Sequence, residues 1–340
     1  MQSQFEPLIC TKRTDETVDA TTFEFKKLDN SLFSYKAGQF LTFEVDVAGE
    51  LEYRAYSLSS TPSKPESVSV TIKRVEGGKV SNYLLDHLQA GIALPAMAPT
   101  GDFTLDNNNV TTDILLMSAG SGITPCMSMA RWLLDTGMNV SIHFIYSACS
   151  EADIIMGKTL NELNQQHDNF RLSFILEETE SNKFISGRLS NDNFAQLVGD
   201  VSGKTIFTCG PAPYMQAVES AAKQHGFDMD FFHKESFVTA GVSTEEQADN
   251  ALSYQLVVPQ HAKNMTINTD QTLLNALEGA GLPIIAACRV GVCGACKCKV
   301  TGQVESSSTA TLTPEQIEQG YVLSCSTKAS SDLVVELSLV

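Results

Sequence analysis

Apolar and polar residues alternate with a period of two along much of the first hundred residues. The clearest runs are residues 21–25, 40–45 and 68–72, in which β-branched and aromatic side chains alternate with polar ones. Successive side chains of a strand point to opposite faces, so this alternation is typical of strands with one buried face. Several such strands separated by turn residues predict an antiparallel β-barrel, which we assign to residues 1–108.

The pattern then changes to short continuous apolar runs separated by stretches of helical periodicity. Strands buried on both faces give such runs, and the helices between them cover the sheet. Residues 109–238 are therefore predicted to form a doubly wound α/β domain, followed by a small, polar and acidic linker at residues 239–252. The predicted strands of this domain are residues 114–117, 140–146, 171–175 and 205–208.

Four cysteines characterise the rest of the chain. Cys288, Cys293, Cys296 and Cys325 follow the spacing C-x4-C-x2-C, with 28 residues before the fourth cysteine. This is the ligand pattern of a plant-type [2Fe–2S] ferredoxin. A structural zinc site and scattered core cysteines are the alternatives, but zinc ligands usually come as two short pairs. We therefore predict a [2Fe–2S] ferredoxin domain, of α+β (β-grasp) fold, at residues 253–340.

The sequence also predicts the conformation of two glycines in this loop and the environment of the other cysteines. Gly291 and Gly294 are expected to take the positive φ angles that let a backbone wrap closely around a cluster. Cys298 alternates with Cys296 along a strand, so its side chain is expected to point away from the cluster. Packing roles are expected for three further cysteines: Cys10, Cys126 and Cys149.

Size and charge narrow the classes of function. A chain of 340 residues is long enough for two or three domains. The sequence shows no apolar run near the roughly 20 residues that cross a bilayer, and no signal-peptide pattern, so we expect no membrane span. A net charge of −17 argues against nucleic acid or an anionic membrane as partner. Nine cysteines, four of them metal ligands, fit a reducing cytoplasm.

Two segments of the barrel carry anion-binding chemistry. The R-A-Y-S sequence at residues 54–57 closes a strand, and taken alone it could be an ordinary edge strand. The G-G-K-V-S-N sequence at residues 77–82 leads into a helix. Glycines followed by a serine at a helix start present free N–H groups to an anion such as a diphosphate, and a plain N-capped helix is the alternative.

Two strand ends of the α/β domain carry nucleotide-binding chemistry. Gly120 and Gly122 permit a tight turn from strand to helix, and Pro125 suits the first helical turn. The third glycine of the dinucleotide-binding fingerprint is absent, so this motif alone is weak. Cys209 begins a C-G-P sequence at the end of another strand. A lone buried cysteine is usually an inert core residue, but the carboxyl end of a parallel strand is where such sheets bind ligands, so a role in the site is favoured.

These motifs, in this order, resemble the ferredoxin–NADP reductase superfamily, in the branch of flavin reductases with a C-terminal ferredoxin domain. The likeness covers nearly the whole chain and implies FAD and a [2Fe–2S] cluster as cofactors, with NADH as the substrate that supplies electrons. It rests on residues 54–62, 119–132, 208–215, 231–237, 286–297, 306–313 and 318–326.

The resemblance also implies roles for single residues. Arg54 would pair with the flavin diphosphate, which suits a guanidinium because it offers two parallel N–H donors. Tyr56 would pack beside the isoalloxazine ring and Ser57 would approach flavin N5. Cys209 would lie near the site of hydride transfer and Glu235 at the flavin edge. Ser57, Cys209 and Glu235 are thus the catalytic candidates.

Further residues of the same motifs are expected to bind the cofactors. The flavin candidates are Thr71, Lys73, Gly78, Val80, Ser81 and Phe237. The nicotinamide candidates, besides Cys209, are Gly120, Gly122, Thr124, Gly210 and Pro211.

The loop after the second α/β strand bears on the choice of nucleotide. Residues 147–151 contain no arginine, and Glu177 and Glu178 follow the next strand. NADPH needs cations or hydroxyls for its 2′-phosphate, and carboxylates repel that group. The sequence therefore favours NADH.

We predict an oxidoreductase that passes electrons from NADH through FAD and the cluster to a protein acceptor. The flavin is needed because hydride delivers two electrons and the cluster takes one. Within the superfamily the chain is similar to NADH-dependent reductases of the hybrid-cluster protein, which implies that protein, a handler of nitric oxide or hydroxylamine, as acceptor. A Rieske-type or other oxygenase is the alternative acceptor. An electron carrier that never oxidises NADH is a third interpretation.

Overall fold

A computed structural model describes most of the chain. The described residues are 5–106, 108–237, 253–269, 271–284, 289, 291, 294–309 and 311–337. The chain divides into two compact units, one made of residues 1–52 and 56–238, the other of residues 53–55 and 239–340. The predicted linker at 239–252 lies outside the described residues, as do Cys288 and Cys293.

A six-stranded sheet forms the N-terminal part, with strand order β4-β3-β6-β1-β2-β5. Strand β1 pairs with β2 and β6, β2 with β5, and β3 with β6, and each of these pairings is antiparallel. Leu58, directly after β4, bridges Val70 of β5 and so joins the two edges of the sheet. The elements are β1 (Glu6–Asp15), β2 (Ala20–Lys27), β3 (Phe40–Val47), β4 (Glu50–Ser57), β5 (Val68–Lys73), α1 (Lys79–His87) and β6 (Ala93–Ala96).

The barrel closes around an aromatic core, as the alternating pattern predicts. Phe23, Phe25 and Phe43 are fully buried, and the rings of Phe25 and Phe43 lie 5.1 Å apart between centroids. These residues occupy alternate positions of β2 and a matching position of β3, so one face of each strand is buried.

The α/β part is a parallel six-stranded sheet with strand order β10-β9-β8-β7-β11-β12. The order reverses between β7 and β11, and ligands of such sheets bind at the carboxyl ends next to this point. The elements are β7 (Asp113–Ala119), α2 (Ile123–Asp135), β8 (Ser141–Ala148), α3 (Gly157–Gln166), β9 (Phe170–Leu176), β10 (Ile185–Ser186), α4 (Asn191–Val198), β11 (Lys204–Cys209), α5 (Ala212–Gln224) and β12 (Phe232–Glu235).

The four strands predicted for this sheet are confirmed as β7, β8, β9 and β11. The observed β7, β8 and β11 run further at their carboxyl ends, through Ala119, Ala148 and Cys209. These ends carry small or polar residues, so they fall outside an apolar run. Cys149, which follows β8, was expected to pack in the core, and that expectation is wrong because the residue is exposed.

The C-terminal unit contains a five-stranded sheet with strand order β14-β13-β19-β15-β17. Strands β13 and β19 are parallel, whereas β13 with β14, β15 with β17 and β15 with β19 are antiparallel. The elements are β13 (Ser253–Val258), β14 (Lys263–Asn268), α6 (Leu273–Gly279), β15 (Lys297–Thr301), β16 (Val304–Ser306), α7 (Pro314–Glu318), β17 (Tyr321–Leu323), β18 (Thr327–Ala329) and β19 (Leu333–Leu337).

One helix covers this sheet and separates two apolar groups. Leu277 of α6 packs in the main core with Cys298, whereas Leu274 of the same helix packs in a small cluster with Cys296 and Cys325. The opposite directions of Cys296 and Cys298 confirm the alternation predicted for this strand. Among the described residues, no helix is long and apolar enough to cross a membrane.

Candidate functional site

The three catalytic candidates meet at one edge of the α/β sheet. Ser57 is the last residue of β4, Cys209 the last of β11 and Glu235 the last of β12. The Ser57 Oγ donates a hydrogen bond to Glu235 Oε2 at 3.3 Å, across 178 residues of sequence. Cys209 and Glu235 are register partners of neighbouring parallel strands. The structure thus brings together the barrel and both strand ends.

Burial sets the protonation of this group. Withdrawal from water raises the pKa of Glu235 from 4.5 to about 8, against the lowering effect of the Ser57 hydroxyl. The pKa of Cys209 is raised well above its ordinary value by burial and then by the Glu235 carboxylate. At neutral pH the site therefore holds a mainly protonated carboxyl group and a neutral thiol.

A second thiol lies beside this group. Cys126 of α2 is fully buried, and its pKa is raised first by burial and then by the Glu235 carboxylate. Cys126 was expected only to pack, because no sequence spacing connects it with Cys209 or Glu235. Its position near them arises because α2 and β11 pack in one apolar core.

The glycine turn between β7 and α2 lies against the same strand end. Gly120 has a φ of +54°, and its carbonyl accepts a hydrogen bond from the Tyr146 hydroxyl at 3.1 Å. A Cβ on Gly122 would lie 2.2 Å from the Cys209 carbonyl oxygen, so a larger residue cannot fit. Gly122 is therefore needed for close approach, whereas Gly120 is needed for its backbone angle.

The other nicotinamide candidates are arranged around this turn. The Thr124 hydroxyl donates to the Ser121 carbonyl at 3.1 Å, and Pro125 lies in the first turn of α2 as predicted. Gly210 is buried against Ala119, and Pro211 is the N-cap of α5. The carboxyl ends of β7 and β11 and the starts of two helices thus lie together where the strand order reverses, and sheets of this type bind dinucleotides at such a point.

Helix α1 offers the anion site expected of the flavin motif. Its N-cap is Gly78, and no side chain caps its first N–H groups. Val80 and Ser81 of its first turn are buried. The buried Oδ1 of Asn82 has no hydrogen-bond partner among the described residues. An uncapped helix start beside an unsatisfied polar atom fits a diphosphate, so the residues present fit FAD.

The remaining flavin candidates make local contacts. Arg54 is half-buried and donates to the Tyr53 carbonyl at 2.7 Å. The Tyr56 ring lies 6.2 Å from that of Phe43, at the edge of the barrel core. Phe237 is 41% exposed. Their roles toward FAD stay predictions.

Two predicted flavin residues have side chains engaged inside the barrel. The Thr71 hydroxyl lies 2.8 Å from that of Thr22 and 3.2 Å from that of Ser59. The Lys73 ammonium pairs with Asp19 at 3.2 Å. Any contact of Thr71 or Lys73 with a flavin would thus involve the backbone or require these bonds to change, and their cofactor roles also stay predictions.

The described part of the cysteine motif forms a separate site in the C-terminal unit. Cys296 Sγ and Cys325 Sγ lie 3.1 Å apart, well beyond the length of a disulfide bond. The Gly291 N–H donates to Cys325 Sγ at 3.1 Å. Two buried sulfurs at this separation, with a backbone donor aimed at one of them, fit two thiolate ligands of a [2Fe–2S] cluster.

The glycines predicted for this loop take the expected angles. Gly291 and Gly294 have φ values of +78° and +76°. A Cβ on Gly291 would also lie 2.6 Å from Ser326 Oγ. The Ser308 hydroxyl donates to the Gly291 carbonyl at 2.6 Å. The spacing of residues in the sequence does not predict this contact. Serines of two later segments thus hold the loop in place.

An ion pair also anchors the cluster loop. Arg289 donates to both carboxylate oxygens of Glu278, at 2.8 and 2.6 Å. Arg289 follows Cys288 in sequence and has a φ of +59°, while Glu278 lies on α6. Sequence reasoning missed this pair, because nothing in the spacing of residues 278 and 289 links a helix to the loop.

Fold and site together define a flavin- and nicotinamide-dependent oxidoreductase with an iron–sulfur domain, and three sequence families agree. An oxidoreductase FAD-binding domain matches residues 7–105, an oxidoreductase NAD-binding domain residues 116–220, and a 2Fe–2S iron–sulfur cluster binding domain residues 259–330. FAD, NAD(H) and a [2Fe–2S] cluster are thus the cofactors of this chain.

Full-length relatives share this architecture. The glycine betaine monooxygenase reductase subunit of Pseudomonas aeruginosa is 37% identical, covering 96% of this chain and 94% of its own. The stachydrine N-demethylase reductase subunit of Rhizobium meliloti is 32% identical (98% and 97%), and NADH oxidoreductase HCR of Escherichia coli is 36% identical (95% and 94%). The chain belongs to this family of reductases with FAD-binding, NAD-binding and C-terminal [2Fe–2S] domains.

A solved structure gives the same fold. Phthalate dioxygenase reductase aligns over 98% of both chains, with a TM-score of 0.64 and 21% sequence identity. The predicted combination of a barrel, a doubly wound domain and a ferredoxin domain is thereby confirmed.

The raised pKa of Glu235 predicts a specific dependence of stability on pH. The pKa of this carboxyl is about 8 in the folded protein and 4.5 ordinarily, so folding favours its protonated form. Its contribution to stability is full below pH 4.5 and is lost as pH rises through 8. Glu235→Gln removes this titration. The thermal midpoint of the wild-type holoprotein minus that of the variant should fall steadily between about pH 5 and about pH 9. Glu162→Gln, an exposed acid on α3, should give a constant difference; a constant difference for Glu235→Gln would contradict the assignment.

The Arg289–Glu278 pair predicts an effect on cluster retention. Glu278→Gln keeps the size of the side chain but leaves the half-buried guanidinium without its counter-charge. We expect the visible absorption of the cluster to bleach about tenfold faster in air, the scale typical of lost supporting contacts. Glu336→Gln, exposed on β19, is the matched control. Equal bleaching rates in all three proteins would show that the pair does not support the loop.

Proposed function

We propose that this reductase supplies electrons from NADH to an oxygenase component. Two full-length relatives whose names state a reaction are reductase subunits of a monooxygenase and of an N-demethylase. The single observation that carries the proposal is this likeness over almost the entire chain, ferredoxin domain included. The acceptor is recognised at that domain, because electrons leave through the cluster.

The hybrid-cluster protein is the second candidate acceptor. The Escherichia coli relative, similar over the full chain, is named an NADH oxidoreductase without a stated acceptor. The oxygenase is therefore preferred over the acceptor that the sequence resemblance implied. The oxygenase component and the hybrid-cluster protein are therefore compared as acceptors in one experiment.

Residues of the chain prepare the site for this chemistry. When bound near Ser57 and Glu235, FAD would supply the chemistry that converts a two-electron hydride into single electrons for the [2Fe–2S] cluster. Glu235 holds a proton at its carboxyl at neutral pH, and the Ser57 hydroxyl is the polar group in contact with it. Oxidation of NADH with single-electron exit releases one proton, and Glu235 with Ser57 would exchange that proton at the reacting edge. Cys209 contributes a neutral, buried surface that excludes water.

The acceptor is tested with purified proteins under anaerobic conditions. NADH and catalytic amounts of the reductase are mixed with a Rieske-type oxygenase component or with a hybrid-cluster protein, and the acceptor's own absorption is followed. We expect the oxygenase to be reduced faster. Faster reduction of the hybrid-cluster protein would overturn the choice of acceptor, and reduction of neither would contradict both.

Cys325→Ser separates the two halves of the proposal. The variant lacks a buried sulfur of the cluster site, so acceptor reduction should fall by about a hundredfold or more. Oxidation of NADH with a small dye acceptor should stay within about twofold, because the flavin site lies on other residues. Cys298→Ser, next to the site but in the main core, controls for general disturbance of the domain. Loss of both activities in Cys325→Ser alone would contradict separate sites.

We also propose that the protein prefers NADH to NADPH. The Glu177 and Glu178 N–H groups donate to the Ala148 and Cys149 carbonyls at 3.1 and 2.8 Å, so both acids lie beside the end of β8. Arg188 pairs with Glu177 at 2.8 Å, which leaves this cation neutralised. A 2′-phosphate placed here would meet carboxylates rather than a free cation.

Glu177→Gln should therefore improve the use of NADPH. It removes a negative charge and releases Arg188 from its partner, so kcat/KM for NADPH relative to NADH should rise by about tenfold. Steady-state kinetics with the dye acceptor measure the ratio. Glu162→Gln, which breaks an exposed ion pair on α3, should leave it unchanged. An unchanged ratio for Glu177→Gln would place the 2′-phosphate elsewhere.

A further inference from the structure

One face of α2 carries three polar side chains that contact the barrel. Ser128, Arg131 and Asp135 are spaced by three and four residues, so they share a helix face. The Ser128 hydroxyl donates to the Ser60 carbonyl at 2.6 Å, and Arg131 Nη1 donates to the Ser59 carbonyl at 2.5 Å. The helix is thus bonded to barrel backbone at two successive residues.

A third contact extends the same line. The Ser63 hydroxyl donates to Asp135 Oδ2 at 2.5 Å, and Lys64 Nζ lies 4.0 Å from the same atom. The barrel segment of residues 59–64 therefore runs along α2 for about two turns of the helix. We call these contacts the α2 clamp, formed by Ser128, Arg131 and Asp135.

The clamped segment is also fixed to the barrel. The Ser59 N–H donates to the Ser69 carbonyl at 2.8 Å, and the Ser69 N–H donates to Ser60 Oγ at 3.0 Å. The Tyr35 hydroxyl lies 2.9 Å from Ser60 Oγ. Residues 59 and 60 therefore cannot follow a movement of α2 without breaking bonds to β5.

The clamp connects the two halves of the reaction site. Ser57 lies two residues before Ser59, while the Gly120–Gly122 turn immediately precedes α2. A shift of α2 along the barrel would displace the glycine turn from the end of β4 by the same distance. Backbone carbonyls are suitable anchors, because their positions do not depend on rotamers.

We propose that Arg131 and Ser128 are positioning residues for hydride transfer, which set the distance between the nicotinamide-binding turn and the flavin-facing end of β4. They touch neither reacting group and act through the backbone of residues 59 and 60. The proposal rests on the reductase activity, in which nicotinamide and flavin come from different domains. Misplacement by about 1 Å in such a site costs up to about a hundredfold in rate.

Arg131 is better suited to this task than a shorter cation. Its guanidinium spans from the helix to the Ser59 carbonyl in a half-buried position, near the acids Glu16 and Asp135 and the Tyr35 hydroxyl. A planar group with several donors holds one orientation, whereas an ammonium on a flexible stem does not. Arg131→Lys should therefore keep the positive charge but still slow the reduction of the flavin by NADH.

The test uses the holoprotein and three variants. Arg131→Met removes the donor but keeps the length of the side chain, and Ser128→Ala removes only a hydroxyl. Arg13→Met is the matched control, since Arg13 donates to the Leu85 carbonyl at 2.7 Å within the barrel alone. Flavin reduction at saturating NADH is followed by anaerobic stopped flow, with NADH and with its 4-deuterated form. Hydrogen exchange of residues 58–64 is measured by mass spectrometry.

Arg131→Met should slow flavin reduction by about tenfold or more, with flavin content retained and the half-saturating NADH concentration within about twofold. The deuterium isotope effect should rise and residues 58–64 should exchange faster. Ser128→Ala should show the same changes to a smaller extent, and Arg13→Met should show neither. A wild-type rate in Arg131→Met, or a loss that only follows lost flavin, would overturn the proposal. A wild-type protein that NADH does not reduce would instead overturn the reductase assignment.

Discussion

The hydrogen bond between Ser57 and Glu235 joins two domains at the point where their chemistry meets. Ser57 ends a strand of the barrel, and Glu235 ends the outermost strand of the parallel sheet. Neither domain contains the pair alone, so the proton-holding group exists only when the two are packed together. The same packing shields the carboxyl from much of the solvent, which raises its pKa to about 8. The contact between the domains and the raised pKa therefore have one physical cause.

Close backbone approach makes this packing specific. Gly122 lies against the Cys209–Gly210 peptide with no room for a Cβ, and this fixes α2 relative to β11. The hydrogen bonds of Arg131 and Ser128 then fix the same helix relative to the barrel. Helix α2 thus holds the glycine turn in a fixed position relative to both the sheet and the barrel. Its sequence combines an apolar face toward the sheet with a polar face toward the barrel.

The sequence predicts features that depend on local pattern or on residue type. The period-two runs give the barrel strands, the cysteine spacing gives the cluster site, and Gly291 and Gly294 take left-handed angles as expected. Contacts between distant residues are not predicted. Arg131, Cys126 and the Arg289–Glu278 pair acquire their roles from tertiary packing, and each alone resembles an ordinary surface or core residue. Cys149 shows the reverse case, because an apolar residue type at a strand end is exposed.

The two sites differ in the kind of support they need. At the Ser57–Glu235 site the described groups are a carboxyl with a raised pKa, a hydroxyl and buried thiols. Around Cys325 the described contact is a backbone N–H, and the loop that contains Gly291 is held by the Arg289–Glu278 ion pair. A backbone N–H directed at a sulfur suits a thiolate ligand, which carries negative charge.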